Sequence, residues 1–544
     1  MEILNLSLPA TNRFATEYLA QNQTMEGLFH YNFLKSSEYK ERLSELNNRT
    51  FIRSELAEHI EHFMSRFPSS FQVKESIEKL KKDNSVVVIG GQQAGLLTGP
   101  LYSIHKVISI IVLAKEQERK LGVPVIPVFW IAGEDHDYQE VNHVYIHKDK
   151  KVEKSIYPEK IREKKMVSDI KLNKDVCSAW IMSLIETFGE TQYTNELIEF
   201  TNQALQQSHT FVDFFAHIVM ELFKDYGLLI IDSGDPNLRR LESEYFLRQI
   251  SNAGQITHLV KSQQQEIKQF GFPQAIDLSD HAGNLFYYDE QDQERILLEY
   301  DPDAALFKGK NDLVQFSTNE LLELALEYPE KLSNNVVTRP IMQEWLFPTL
   351  AFIAGPGEIS YWAELKKAFE YFDMKMPIIV PRLNITLLER HIDSDVDSFH
   401  LSVEKVLIEG ISKSREEFLQ SLKNKNLERL FEKTSKQLLE NYEQIKECAN
   451  MEDKGLIPLI EKNGSILGEQ LQFMRKRIEE SIQSKNLVVL NKYTAIENSL
   501  KPLGSPQERI WNIYYYLNQY GFQLIHEVMK LHFEFDGTHK VIKI

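Results

Sequence analysis

Cysteine is almost absent from this chain: two residues in 544, Cys177 and Cys448, far apart and in no CxxC pair. That excludes a disulfide framework and a four-cysteine zinc site, so no structural zinc is expected. Reduced thiols in a cytoplasmic setting are the expectation. Each cysteine sits in a polar, helix-like context with no motif around it, which favours a structural role over a catalytic one. Positive charge is also short: 62 Lys and Arg against 79 Asp and Glu give a net charge of −17. A general polyanion binder needs a basic face, so no nucleic-acid partner is expected. An anionic small molecule would need a local cationic pocket. Long apolar runs are missing as well. No stretch approaches the roughly 20 residues of a membrane span, so no membrane partner is expected. The start, MEILNLSLPATNRFATEYLAQ, lacks the basic region and apolar core of a signal peptide.

What is present is a globular composition, 42% hydrophobic, 26% charged and 11% aromatic, on a chain long enough for two or three domains. Residues 1–84 are charged and helical in pattern, a region expected to pack on a core. Residues 85–390 alternate short apolar strands with helices: VVVIG (86–90), VIPVFWIAG (125–133), LLIIDSG (228–234), NNVVTRP (334–340), LAFIAGPG (350–357) and PIIVPR (377–382). Continuous β-rich runs suit a parallel sheet buried on both faces. The alternation predicts an α/β, Rossmann-like parallel-sheet core, with insertions at about 148–222 and 250–333. The second insertion contains NLFYYDEQDQERILLEY, which reads as a hairpin. Residues 391–500 carry apolar positions at three and four: Leu467, Leu471, Met474, Ile478, then Val489, Tyr493, Ile496 and Leu500. That spacing predicts an antiparallel coiled-coil arm reversing near NMEDKG (450–455), either packed on its own core or joining two copies as a homodimer. Residues 501–544 are expected to return to the core.

In such sheets ligands lie beyond the carboxyl ends of the strands. Four polar constellations fall there. In GGQQAGLLTGPLYSIHK, glycines Gly90, Gly91, Gly95 and Gly99 let backbone N–H groups approach a ligand, Gln92 and Gln93 suit recognition, and His105 and Lys106 suit an anion. Tyr102 and Lys106 share a helical face. No G-K-[ST] follows and GGQQAG does not fit GxGxxG. A tight turn with a polar first helical turn is the plainer reading. In GEDHDYQEVNH, the crowded Glu134, Asp135, His136 and Asp137, with His143 beyond, require an offsetting cation, metal or substrate amine. Acid–base work, a metal site of non-standard spacing and a simple helix cap all stay open. Arg339, before Pro340, can grip a carboxylate in a fork. Glu358 and Tyr361 follow a second strand–glycine–helix seam, and Arg382 and Asn384 lie at another strand end, just before the helical arm.

These motifs, with RPIMQEWLFPTLAFIAGPGEISYWAELK, MPIIVPR and the ending FEFDGTHKV, resemble the bacterial family of cysteine ligases, the cysteine-adding enzymes of bacillithiol biosynthesis. The resemblance runs from the N-terminal region to the last residues in one motif order. It implies a core like that of class I nucleotidyl-transferring enzymes, connecting insertions and a C-terminal coiled coil. It implies the last step of bacillithiol synthesis: joining the carboxyl of L-cysteine to the amine of glucosaminyl malate. ATP or ADP, with Mg2+ if ATP is used, is the implied co-substrate. The H-I-G-H and K-M-S-K-S signatures of class I adenylating enzymes are absent. On this reading Asp135, His136 and Asp137 supply the base. Gln92, Gln93, Tyr102, His105, Lys106, His143, Arg339, Glu358 and Tyr361 bind substrate. Gly90, Gly91, Gly95, Gly99, Arg382 and Asn384 face a nucleotide. The rivals are a metal-assisted enzyme forming or cleaving amides and a non-catalytic, nucleotide-responsive coiled-coil scaffold.

Overall fold

Val86, Val87, Val88 and Ile89 are four β-branched residues in succession, and all four are fully buried. Such a run cannot alternate between core and water; it fits only an interior strand covered on both faces. The computed structural model describes residues 1–161, 164–309 and 314–544. These four residues open strand β1 (Val86–Gln92) of a five-stranded sheet with β2 (Val125–Ile131), β3 (Leu229–Asp232), β4 (Thr349–Ala354) and β5 (Ile378–Pro381). The spatial order is β5-β4-β1-β2-β3 and every neighbouring pair is parallel. The chain leaves β1 in one direction through β2 and β3, then crosses back to lay β4 on the other side. The order reverses between β1 and β4, and a crevice must open beyond their carboxyl ends.

Helix α1 (Leu101–Leu121) makes the first crossover. It starts after Pro100, whose φ of −66° is already helical, and stops at Gly122, whose φ of +70° only glycine adopts cheaply. Its inner residues Ile104, Val107 and Ile111 are buried, each contributing roughly 1.5–3 kcal/mol of apolar burial.

Expectation and structure part at 334–340. NNVVTRP is not a core strand. Only Leu332–Asn334 is extended, at the edge of a separate antiparallel sheet, and Thr338–Leu346 is helix α2. Asn335 decides this: its Oδ1 accepts from Val337 N (2.9 Å) and Thr338 N (3.2 Å), turning the chain into a helix start. Pro340 is tolerated because first-turn N–H groups have no helical partner anyway. The second insertion does hold the hairpin, Ala282–Asp289 against Glu294–Asp301, within that antiparallel sheet. The first insertion begins within a second hairpin, His143–Lys148 with Lys151–Ile156, and contains three helices between 174 and 223. The C-terminal strand His539–Lys543 lies between Glu2–Leu6 and Ile385–Leu388, so both chain ends share one small sheet.

The chain divides into two units: Met1–Leu388 with Ser505–Ile544, and Glu389–Gly504. In the second unit, helices Lys425–Glu452 and Ile457–Lys485 run antiparallel, reversing at 453–456. Lys446 meets Glu461 at 2.6 Å, and Gly464 lies against the Tyr442 ring. The half-buried seam is Gly464, Gly468, Leu471, Arg475, Ile478 and Ile482, a seven-residue repeat. Leu467 and Met474, expected on that seam, are 41% and 53% exposed. The spacing of three and four admits two neighbouring stripes, and the glycines decide which one allows close approach. Tyr493 belongs to a separate helix, Leu487–Leu500, and stacks on Phe399 at 4.4 Å. Among the described residues no helix is long and apolar enough to cross a membrane.

Candidate functional site

A cavity of about 510 Å3 opens beyond the carboxyl ends of β1 and β4. Gly91 belongs there for steric reasons: a Cβ at this position would come 2.7 Å from the Trp130 carbonyl oxygen. After Gln92 and Gln93, which line the cavity, the chain makes an unusual turn. Leu97, Thr98 and Gly99 all have positive φ, +54°, +73° and +67°. The two non-glycine residues cost about 1–3 kcal/mol each and persist only where their surroundings impose them. Here Asn512 Nδ2 donates to the carbonyls of Leu97 (2.8 Å) and Gly99 (2.6 Å), while Leu101 N donates to Trp511 O (2.8 Å). A segment more than 400 residues away in sequence thus clamps the turn. Gly99→Ala is expected to lower stability by about 1–3 kcal/mol in urea unfolding, because its ψ of −153° at positive φ is nearly glycine-only. An unchanged midpoint and slope would show that the turn relaxes freely.

The turn fixes α1, and α1 presents Tyr102 and Lys106 to the cavity. Lys106 is 2% exposed, and its ammonium is spent within the chain: Nζ donates to Glu358 Oε2 (2.6 Å) and Gly91 O (2.6 Å). Burial lowers its pKa, and Glu358 offsets part of that. Lys106 is therefore a wall of the site, and its removal would leave Glu358 unpaired. His105 does not reach the cavity. It is buried, with Nδ1 3.2 Å from Glu508 Oε2, and burial lowers its pKa.

The acidic cluster is split by the fold. Its offsetting cations are three arginines of the chain itself. Glu134 is completely buried and takes Arg239 and Arg339 on its two oxygens. Asp135 Oδ1 accepts from Arg339 Nη2 (2.9 Å) and Arg295 Nη1 (3.4 Å). Burial alone would raise both carboxyls, but the arginines hold both below their ordinary values. Asp135 lines the cavity, yet so stabilised a carboxylate is a weak base. His136 and Asp137 open into a neighbouring cleft instead, where the His136 ring meets Phe286 edge-on at 5.9 Å. His143, at the start of the first-insertion hairpin, does line the cavity. Its Nδ1 is buried, and burial followed by Lys154 lowers its pKa while the Gln139 backbone offsets part of that, leaving a neutral imidazole at pH 7.

Arg339, Glu358 and Tyr361 line the opposite wall, on α2 and on helix α3 (Pro356–Ala363). Arg382 lines it too, but Glu508 grips its guanidinium with two 2.7 Å bonds. Of the positions assigned to a nucleotide, Gly91 and Arg382 reach the cavity and the others do not. Gly90 and Gly91 sit inside the β1–β2 ladder. The amides of Gly95 and Gly99 donate to Gln93 O and Leu96 O. Asn384 accepts Lys540 N in the small sheet. These glycine amides are thus engaged within the turn, and Pro100 has none to offer a phosphate. Among the described residues no three His, Cys, Asp or Glu side chains converge as metal ligands.

Sequence reasoning missed Glu140, Tyr145, Gln343 and Arg509, which line the cavity, and Glu508 behind it. Glu140 and Tyr145 flank His143 and were reachable from it. Nothing near Glu508 and Arg509 signals a site.

Comparison with known proteins agrees with this architecture. The family model described as "Bacillithiol biosynthesis BshC, N-terminal Rossmann-like domain" matches residues 1–383, and the one for the C-terminal coiled-coil domain matches residues 385–544. Proteins named "Putative cysteine ligase BshC" are similar over the whole of both chains. That of Geobacillus sp. (strain WCH70) is 45% identical over 544 residues, that of Geobacillus thermodenitrificans 44% over 544, and that of Anoxybacillus flavithermus 43% over 542.

Proposed function

Because this chain belongs to the BshC family of bacillithiol biosynthesis, we propose that its strand-end cavity joins the carboxyl of L-cysteine to the amine of glucosaminyl malate, the last step of that synthesis. The observation that carries the reading is a neutral imidazole, His143, in the wall of a switch-point cavity large enough for small polar substrates. An ammonium cannot attack a carbonyl; it must first lose a proton. His143 is placed to accept it, in preference to His136, which faces the neighbouring cleft. Glu140, exposed and three residues before His143, suits the incoming ammonium. The Arg339–Asp135 and Lys106–Glu358 pairs hold the walls at fixed charge, so that binding substrate does not require their rearrangement.

A carboxylate is a poor acyl donor at neutral pH, so the proposal includes ATP, with Mg2+, as the activating co-substrate. The glycine amides of the β1–α1 turn are engaged within it and are not the groups that hold its phosphates. The proposal also includes a cytoplasmic setting, in keeping with two unpaired cysteines, one of them buried with its thiol pushed up to about 12. The test is reconstitution: protein with cysteine, glucosaminyl malate and ATP should yield the thiol by mass spectrometry. Omitting any one small molecule should abolish it. Product without cysteine, or none from the complete mixture, would refute the reading.

Self-association as a homodimer through the arm belongs to the same proposal. Its two long helices contain no fully buried residue and expose Leu430, Leu439, Phe473 and Met474, apolar area that a second copy would cover. Shortening both helices symmetrically should give a monomer in sedimentation with the first unit still folded. A shortened protein that still sediments as a dimer would place the interface elsewhere.

A further inference from the structure

Four basic side chains line the cavity, and three of them are answered from within the chain: Lys106 by Glu358, Arg339 by Glu134 and Asp135, Arg382 by Glu508. The fourth, Arg509, is exposed, and among the described residues no carboxylate lies within ion-pair distance of it. Its backbone, by contrast, is held on both sides. Gln507 accepts from Leu387 N (2.8 Å) and donates to Leu387 O (2.9 Å), Glu508 grips Arg382, and Asn512 clamps the β1–α1 turn. The segment therefore fixes the base of a side chain whose charged end has no carboxylate partner among the described residues.

An anion entering this cavity meets three cations already neutralised and one that is not. We propose that Arg509 is the specificity-determining cation of the site and takes the dicarboxylate end of the amine substrate. A planar guanidinium presents two parallel N–H donors to one carboxylate, which a point charge such as lysine cannot match. Glu140 also lines the cavity, is in no ion pair among the described residues, and acts on Tyr102 together with Arg509. Among the described residues the cavity thus offers one free negative and one free positive group, the pattern that a substrate with an ammonium at one end and carboxylates at the other requires. The identity of that substrate rests on the ligase reading; the role of Arg509 as an anion receptor does not.

The probe is L-malate, titrated calorimetrically into the native full-length protein, Arg509→Ala and Arg509→Lys. Losing one charge-assisted contact should weaken malate binding about 10- to 100-fold in the alanine variant, with partial recovery in the lysine variant. Inorganic phosphate at the same concentration should not displace malate. In the thiol-forming reaction KM for glucosaminyl malate should rise by a similar factor, with much less change in kcat. Native-like malate binding by Arg509→Ala, no malate binding by the native protein, or displacement by phosphate would each overturn the assignment. Malate binding that depends on Arg509 in a protein that forms no thiol would sink the ligase reading and leave this one standing. Thiol formation with an unchanged KM in Arg509→Ala would do the reverse.

Discussion

His143→Ala should lower kcat for thiol formation by about 10²–10⁴-fold, the usual cost of removing a positioned base, while KM for glucosaminyl malate changes little. The imidazole lines the cavity with its Nδ1 buried. The pH profile gives a second readout. Burial lowers the His143 pKa below the ordinary 6.5 or so, so the free base that accepts a proton exists above that lowered value. The rate should rise from acid pH, level off below pH 6.5 and stay flat through neutrality. In the variant this acid limb should vanish. His136→Ala is the control: its side chain opens into the neighbouring cleft, and its kcat should stay within a few-fold of native. If His136→Ala loses the rate while His143→Ala keeps it, the base has been misassigned.

Glu508→Ala should cost about 3–5 kcal/mol of stability, because it strands a buried arginine. Arg382 is 5% exposed, and both its Nη atoms bond to Glu508 at 2.7 Å; His105 leans on the same carboxylate. Glu508→Gln, which keeps the shape and one acceptor, should lose less. The pH dependence follows from the sign of the shift. Burial would raise the Glu508 pKa, but Arg382 and His105 hold it well below the ordinary carboxylate value. Its stabilisation is therefore complete above the unfolded value of about 4.3 and is lost as pH falls towards the folded one. The gap between native and Glu508→Ala in urea unfolding should be constant near neutrality and close below about pH 4. A loss under 1 kcal/mol at pH 7 would mean that water reaches Arg382 and replaces its partner.

The parts of this molecule that can be read from sequence are those where cause and effect lie within one turn or strand. The run at 86–89 could be nothing but an interior strand, and the Tyr102–Lys106 spacing correctly put both on one face of α1. Local pattern fails where a distant residue decides. The crowding at Glu134–Asp137 rightly demanded a cation, but Arg239 and Arg295 sit in no motif and come from 105 and 160 residues away. Lys106 read as a ligand contact because Glu358, 252 residues on, could not be known to claim it. Arg339 read as a strand end because the Asx turn at Asn335 looks, in sequence, like any polar strand boundary. The segment 507–512 follows a long helical arm and carries no glycine-rich or acidic signature. Its role arises only when the chain returns to lie across the turn it clamps.

The central claim, that this chain acylates an amine with the carboxyl of cysteine, is tested most directly with L-cysteine carrying heavy oxygen at both carboxyl positions. Forming the amide expels one of those oxygens. The account predicts a thiol product of cysteine and glucosaminyl malate that retains one of the two labels. An adduct retaining both labels, or no adduct at all, would contradict it.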